Sequence, residues 1–141
     1  MKLILKKSIL LFLMVFLFTA CGRSQPVDIR ANEHLCEHCK MGIVEMRFKT
    51  QILSLKGKPH FFDSIECLFE WAVQHSKEIQ SRWVTDFLHP EKWIRLEKAF
   101  ILKSKNIPSP MGGYLSAYSS MEDFTQAQKG SGGEWIHPNN P

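Results

Sequence analysis

The residues best suited to chemistry lie in the stretch CEHCKM, residues 36–41. Cys36 and Cys39 place two thiols three positions apart, and Met41 adds a thioether two positions later. Thiolate and thioether sulfur are soft ligands that together favour Cu(I) over hard cations and are an unusual set for zinc. His34 and His38 are close enough to add nitrogen ligands, although a lone histidine in a polar loop is more often solvated. The motif therefore predicts a Cu(I) site.

Three other interpretations of the cysteine pair stay open. A structural zinc site usually has four protein ligands, and Cys67 has no neighbouring cysteine in the sequence. A thiol oxidoreductase would place C-x-x-C at the start of a helix, where the thiol pKa is lowered, but a strand-like pattern follows here. A disulfide between Cys36 and Cys39 would close too small a loop to add much stability. We expect Cys67 to be a small buried side chain on a helix rather than a ligand.

Met111 is a further candidate ligand. It lies in SPMGGYLSAY, between a proline and two glycines. A flexible turn is an unusual place for a thioether that only fills a core, although core methionines are the commoner case.

The N-terminus predicts the compartment in which these thiols work. A basic leader with Lys2, Lys6 and Lys7 precedes an apolar run at residues 9–18. That run is shorter than the roughly 20 residues of a membrane-spanning helix and is typical of a secretory signal. FTAC at its end resembles the lipobox of bacterial lipoproteins. We therefore expect residues 1–20 to be a cleaved signal peptide and Cys21 to be acylated, which would tether the protein to the membrane in the cell envelope, on its extracytoplasmic side.

The charge of the mature chain argues against nucleic acid as a partner. The full chain has 18 basic and 14 acidic residues, and the signal peptide holds three of the lysines and none of the acids. After cleavage the chain has 15 basic and 14 acidic residues, so no excess of positive charge remains for binding nucleic acid.

The sequence pattern predicts which elements position the motif. Residues 21–32 are polar and indicate a linker from the anchor, so we expect the domain to cover residues 33–137. GIVEMRF alternates with a period of two and predicts a first strand, followed by strands at TQILSL and HFF. Asp63 and Glu66 then form a capping box that starts a helix of about 16 residues.

The C-terminal half repeats this order. RWVTDF and KAFILKS predict further strands, and a second helix is expected at residues 120–129, ending at Gly130. FDSIECL (62–68) aligns with YSSMEDF (118–124), so that both segments place a serine before a helix with a glutamate two positions later. The sequence therefore predicts an α+β fold of two related ββα-type units, about 33–80 and 81–137, with antiparallel sheet and helices on one face.

Together, CEHCKM, FFDSIECL and the segment from SPMGGYL to GGEWI resemble the NosL family, the copper-carrying accessory lipoproteins of nitrous oxide reductase. The resemblance covers residues 36–136 and includes the lipobox. It implies Cu(I) binding outside the cytoplasm and delivery to a recipient copper enzyme, for which nitrous oxide reductase is expected, without catalysis. Other copper-handling proteins are expected as further partners. The matching ligand positions are Cys36, Cys39 and Met41 in the first motif and Met111 in the second.

Two positions depart from the family pattern. The family usually has glycine where this chain has Lys40, whose charge near the site would disfavour a cation or stabilise a thiolate. A late Met-His-Gly-Gly is replaced by GSGG at residues 130–133, which removes a methionine and a histidine. The resemblance therefore leaves the number of ligands open, with His38 as a fifth candidate ligand and His137 as a weak substitute for the lost pair.

Overall fold

Residues 23–138 are described by the structure, a computed structural model, and they form two antiparallel sheets and two α-helices. The expected signal peptide and Cys21 lie outside these residues. Within residues 23–138, neither helix has the length and apolar content needed to cross a bilayer.

The first sheet is a hairpin extended by two later strands. Its elements are β1 (Thr50–Ser54), β2 (Pro59–Phe62), helix α1 (Ile65–His75), β3 (Ile79–Thr85) and β4 (Trp93–Arg95). The strand order is β2-β1-β3-β4, with every pair antiparallel. The expected division between residues 80 and 81 falls inside β3, which pairs with β1.

The second sheet repeats that arrangement. It contains β5 (Phe100–Lys103), β6 (Leu115–Tyr118), helix α2 (Met121–Ser131) and β7 (Glu134–Ile136), in the order β6-β5-β7. In each unit a hairpin is followed by a helix and by a strand that returns to the far edge of the first strand. The predicted α+β fold with two related ββα-type units is confirmed. Ser64 and Ser120, aligned in the sequence, are the N-caps of the two helices.

The predicted strand at residues 42–48 is wrong. Gly42 makes one isolated bridge with Leu35, and a turn closed by the amide of Phe48 on the carbonyl of Glu45 (3.1 Å) follows. Val44, expected on the buried side, is 58% exposed. The alternating pattern fails here because β1, the nearest strand in sequence, already pairs with β2 and β3 along both edges.

The fold begins earlier than the predicted start at residue 33. Gln51 is buried in β1, and its side-chain amide exchanges two hydrogen bonds of 2.9 Å with the backbone of Val27. Ile29 is also buried in the core, and Asp28 pairs with the ammonium of Lys49 at 2.6 Å. A buried glutamine needs partners for its amide, so part of the expected linker is packed on the first sheet.

The larger of two hydrophobic clusters in the described part of the chain joins the two units. It includes Ile52 and Phe62 from the first sheet and Ile101 and Leu115 from the second. Cys36, Cys67 and Trp71 belong to the same core, so the predicted metal motif lies against shared apolar packing rather than on a detached loop.

Candidate metal centre

Four potential ligands meet at one end of the β1–β2 hairpin. The sulfur atoms of Cys36, Cys39 and Cys67 and a carboxylate oxygen of Asp63 all lie within 4.8 Å of one another. Cys36, Asp63 and Cys67 are buried, whereas Cys39 is half-buried. We refer to these four residues as the thiol–carboxylate cluster.

The CEHCKM turn is fixed by its own backbone. The amide of Cys36 donates to the carbonyl of Met41 (2.8 Å), and the amide of Lys40 donates to the carbonyl of Cys36 (2.9 Å). The amide of Glu37 donates to the carbonyl of Phe61 in β2 (2.9 Å). These bonds bring both thiols of the turn to one place and attach them beside the end of β2.

The start of α1 supplies the other two members of the cluster. The prediction that Asp63 caps this helix is wrong: Ser64 is the N-cap, and its hydroxyl accepts from the amide of Cys67 (3.3 Å). The carboxylate of Asp63 is thereby available to Cys39, whose thiol donates to Oδ2 at 3.3 Å. The other oxygen, Oδ1, is buried and has no hydrogen-bond partner. A buried carboxylate oxygen without a partner, on a side chain whose carboxylate lies near three thiols, fits a cation better than an empty core.

Glu66 also has a different role from the predicted capping box. Its Oε1 accepts from the hydroxyl of Ser109 and from the amide of Leu115 (3.4 Å). A side chain at position 113 would overlap the side chain of Glu66, so glycine permits this close approach. Glu66 therefore holds the loop that carries Met111 against the first turn of α1, next to Cys67 in sequence.

The thiols differ in acidity because they hydrogen-bond to one another. A hydrogen bond from Cys67 is the main cause that lowers the pKa of Cys36 to about 6. The same bond, followed by burial, raises the pKa of Cys67 above its usual range. Burial raises the pKa of Cys39 to about 11, with the hydrogen bonds to Cys36 and Asp63 acting in the same direction. These shifts make Cys36 the first of the three thiols to lose its proton, and a metal that binds further thiolates must displace protons from the others.

The predicted ligands differ in where the structure places them. Cys36 and Cys39 are brought together, while His38 is exposed and does not belong to the cluster. The side chains of Met41 and Met111 are 49% and 42% exposed, and their part in metal binding stays a prediction. Lys40 has φ of 65°, in the left-handed region that favours glycine, and its ammonium donates to the carbonyl of Glu37 (2.6 Å). The position at which the family pattern has glycine therefore has a backbone that suits glycine.

Sequence reasoning missed Asp63 and Cys67 as candidate ligands. They are four residues apart at a helix start, which is the separation of one helical turn. That spacing was a usable signal, but each residue also had a local explanation, as a cap or as a buried apolar side chain. Only the tertiary fold brings them to the C-x-x-C turn.

The cluster offers three sulfur donors and one oxygen donor. Cu(I) is held well by two or three thiolates, because soft ligands match a soft cation. Zn²⁺ prefers four ligands in a tetrahedron, and three cysteines with a carboxylate supply that number. The fourth-ligand objection to zinc, which rested on an isolated Cys67, is removed by the structure.

Comparisons with known proteins agree with the fold. The family model described as NosL matches residues 26–139. The crystal structure of the copper chaperone NosL from Shewanella denitrificans is similar to this chain with a TM-score of 0.68 and 18% sequence identity, covering 83% of this chain and 93% of that chain. No curated protein sequence matches the chain.

Proposed function

Because the chain belongs to the NosL family, we propose that it is a Cu(I) carrier of the cell envelope, anchored to the membrane through an acylated Cys21. In this proposal the protein has no catalytic activity of its own. Its partner is a recipient copper enzyme, for which nitrous oxide reductase is the candidate that the family resemblance suggests.

The observation that carries the proposal is the meeting of three thiols within 4.8 Å. Cys36 and Cys67 come from different elements and are both buried, so copper held between them is shielded from water and oxidants. Soft thiolates bind Cu(I) in preference to hard cations. In the same proposal Met41 and Met111 add thioethers, and His38 adds an imidazole, when copper enters or leaves.

Release of the cargo would proceed by ligand exchange. Cys39 is the half-buried thiol of the cluster and is therefore the one within reach of a partner. A donor atom of the recipient would bond to copper as the bond between copper and the sulfur of Cys39 breaks, without a change in oxidation state. The freed Cys39 would take up a proton and again donate to Asp63.

A structural zinc site is the second candidate, because Asp63 completes a set of four ligands. The thiol oxidoreductase is less favoured. The first cysteine of its C-x-x-C, Cys36, is fully buried, whereas an attacking thiolate has to be accessible to its disulfide substrate.

A competition titration tests the proposal. The full chain, reduced and kept anaerobic in detergent, is titrated with Cu(I) against bicinchoninate, and in parallel with Zn²⁺ against a chromophoric zinc chelator. We expect about one Cu(I) per chain. We expect Cys67→Ser and Cys36→Ser each to weaken Cu(I) binding at least about tenfold. If the wild-type chain takes up no Cu(I), the carrier proposal is refuted. Tight Zn²⁺ binding in that case would support the zinc candidate, and insulin reduction without metal would support the oxidoreductase.

A further inference from the structure

We propose that the turn joining β1 to β2, residues 54–58, lies against the anionic headgroups of the membrane that holds the protein. This inference rests on the proposed acylation of Cys21. It adds an orientation, namely which surface of the domain faces the bilayer and which faces away.

The first described residue of the chain is packed against this turn. Gly57 has φ of 74°, and a side chain built on it would lie 2.7 Å from the backbone nitrogen of Arg23. When the side-chain nitrogen of Gln80 faces its acceptors, it donates to the carbonyls of Arg23 (3.1 Å) and Ser54 (3.3 Å). Arg23 is therefore held beside the turn by Gly57 in the turn itself and by Gln80 in β3.

The distance from the anchor to this turn is short. Cys21 precedes Arg23 by two residues, and even a fully extended chain spans only about 7 Å over that length. Acyl chains on Cys21 enter the hydrocarbon of the bilayer, so the surface next to Arg23 has to lie at the level of the headgroups.

The surface around the β1–β2 turn is positively charged, and anionic headgroups attract positive charge. Lys56, Lys58 and Lys77 are exposed around the turn, and Arg23 adds a fourth positive charge against one acid, Glu78. A shallow cavity of about 290 Å³ lies between these lysines, Ser54 and His60. Leu55, at the tip of the turn, is 66% exposed. Basic residues around an exposed apolar side chain are typical of a surface that binds anionic lipid.

The same geometry places the metal centre away from the membrane. In the β1–β2 hairpin Leu53 pairs with Pro59 near the turn, and Thr50 pairs with Phe62 at the opposite end. Asp63 follows Phe62 directly, so the thiol–carboxylate cluster lies about 13 Å from the turn along the strands. A recipient in the aqueous space would then reach Cys39 without contacting the bilayer.

Lysine accessibility tests this orientation. The full acylated chain is reconstituted into vesicles of phosphatidylcholine with about 30% phosphatidylglycerol and treated with a membrane-impermeant acetylating reagent, and the rates are read by mass spectrometry. Compared with the chain in detergent, Lys56, Lys58 and Lys77 should react about fivefold more slowly, because a surface in contact with headgroups is shielded. Lys98 and Lys129, exposed elsewhere on the domain, should react at unchanged rates.

Charge reversal supplies the matched variant. Lys56→Glu with Lys58→Glu should reduce the protection of Lys77, because the reversed charges are repelled by anionic headgroups while the anchor stays in place, whereas Lys98→Glu with Lys129→Glu should preserve it. Equal rates for the two lysine groups on an acylated chain, or protection of Lys98 and Lys129 instead, would overturn the orientation and leave the anchor standing. An intact mass without acyl chains would overturn the anchor and the orientation together. Copper titration of the same samples reports on the carrier function independently of both results.

Discussion

The thiol of Cys39 donates a hydrogen bond to the carboxylate of Asp63 at 3.3 Å, although 24 residues separate the two in sequence. This contact joins the C-x-x-C turn to the start of α1 and closes the cluster on its half-buried side. Whether Asp63 binds the metal or only the thiol depends on the metal. A carboxylate is a usual ligand for Zn²⁺ and a poor one for Cu(I).

The substitution Asp63→Asn therefore separates the two metals. It keeps the size of the side chain and removes the charge, so we expect Zn²⁺ affinity to fall at least about tenfold and Cu(I) affinity to change less than about threefold. Competition with chromophoric chelators measures both constants. Equal losses for the two metals would show that the carboxylate acts on the thiols rather than as a selective ligand.

The two exposed thioethers give a second prediction. Replacing Met41 and Met111 together by leucine keeps apolar bulk and removes both sulfur atoms, so Cu(I) binding should weaken severely, by about tenfold or more. Met121→Leu is the matched control, because Met121 is similarly exposed (53%) and lies on α2. Unchanged Cu(I) affinity in the double variant would remove Met41 and Met111 from the ligand set.

The N-cap serines of the two helices provide an internal comparison. Ser64 accepts from the amide of Cys67, and Ser120 accepts from the amide of Asp123 (3.1 Å). Each change to alanine should cost about 1 kcal/mol of unfolding free energy, measured by urea denaturation. Only Ser64→Ala should also weaken metal binding, because only this cap fixes the backbone of a cluster residue. A loss of metal affinity in both variants would indicate a general effect of reduced stability instead.

The sequence predicted those parts of the fold that depend on local signals. Helix α2 was expected at residues 120–129 and forms at Met121–Ser131, because a serine cap is read within a few residues. Its expected end at Gly130 is wrong, since Gly130 lies inside the helix and Gly132 is the C-cap. The period-two pattern at residues 42–48 was misleading, because strand formation depends on a partner edge that is fixed elsewhere in the chain. The three-residue strand β4 was missed for the same reason.

The candidate site was predicted only in part. The C-x-x-C turn was found from its spacing, and Cys36 and Cys39 do lie together. Asp63 and Cys67 were missed because two contacts outside the motif bring them to it. The amide of Glu37 donates to the carbonyl of Phe61 in β2, which attaches the C-x-x-C turn there, and Ser64 rather than Asp63 caps α1. Neither contact can be read from the motif alone.

The backbone of Lys40 gives a prediction about stability. A non-glycine residue in the left-handed region costs about 1–2 kcal/mol, and replacement by glycine removes this cost. Glycine also has more conformational freedom in the unfolded chain, and this entropy offsets part of the gain. Lys40→Gly should therefore raise the unfolding free energy by about 1 kcal/mol, although the bond to the carbonyl of Glu37 is lost. Asn32, with φ of 62°, is the control. Asparagine tolerates this region, so Asn32→Gly should have a smaller effect in the same denaturation experiment.

The pair formed by Asp28 and Lys49 predicts how stability changes with pH. Lys49 is nearly buried, and its hydrogen bond to Asp28 is the main cause that lowers the pKa of this carboxyl below its ordinary 3.8. A carboxyl with a depressed pKa in the folded state stabilises the fold above the unfolded pKa and loses that contribution as the pH falls through the folded pKa. Asp28→Asn should therefore lower Tm at pH 7, and its difference from wild type should shrink once the pH falls below 3.8.

Scanning calorimetry between about pH 7 and pH 3 measures this difference, a range that covers the titration of an ordinary aspartate. Glu70→Gln is the control for the loss of a carboxylate, since Glu70 is exposed on α1. A constant difference across the range would mean that Asp28 acts without its charge. The pH-dependent result would show that the segment before residue 33, which reads as a linker in the sequence, contributes to the stability of the domain that holds the thiol–carboxylate cluster.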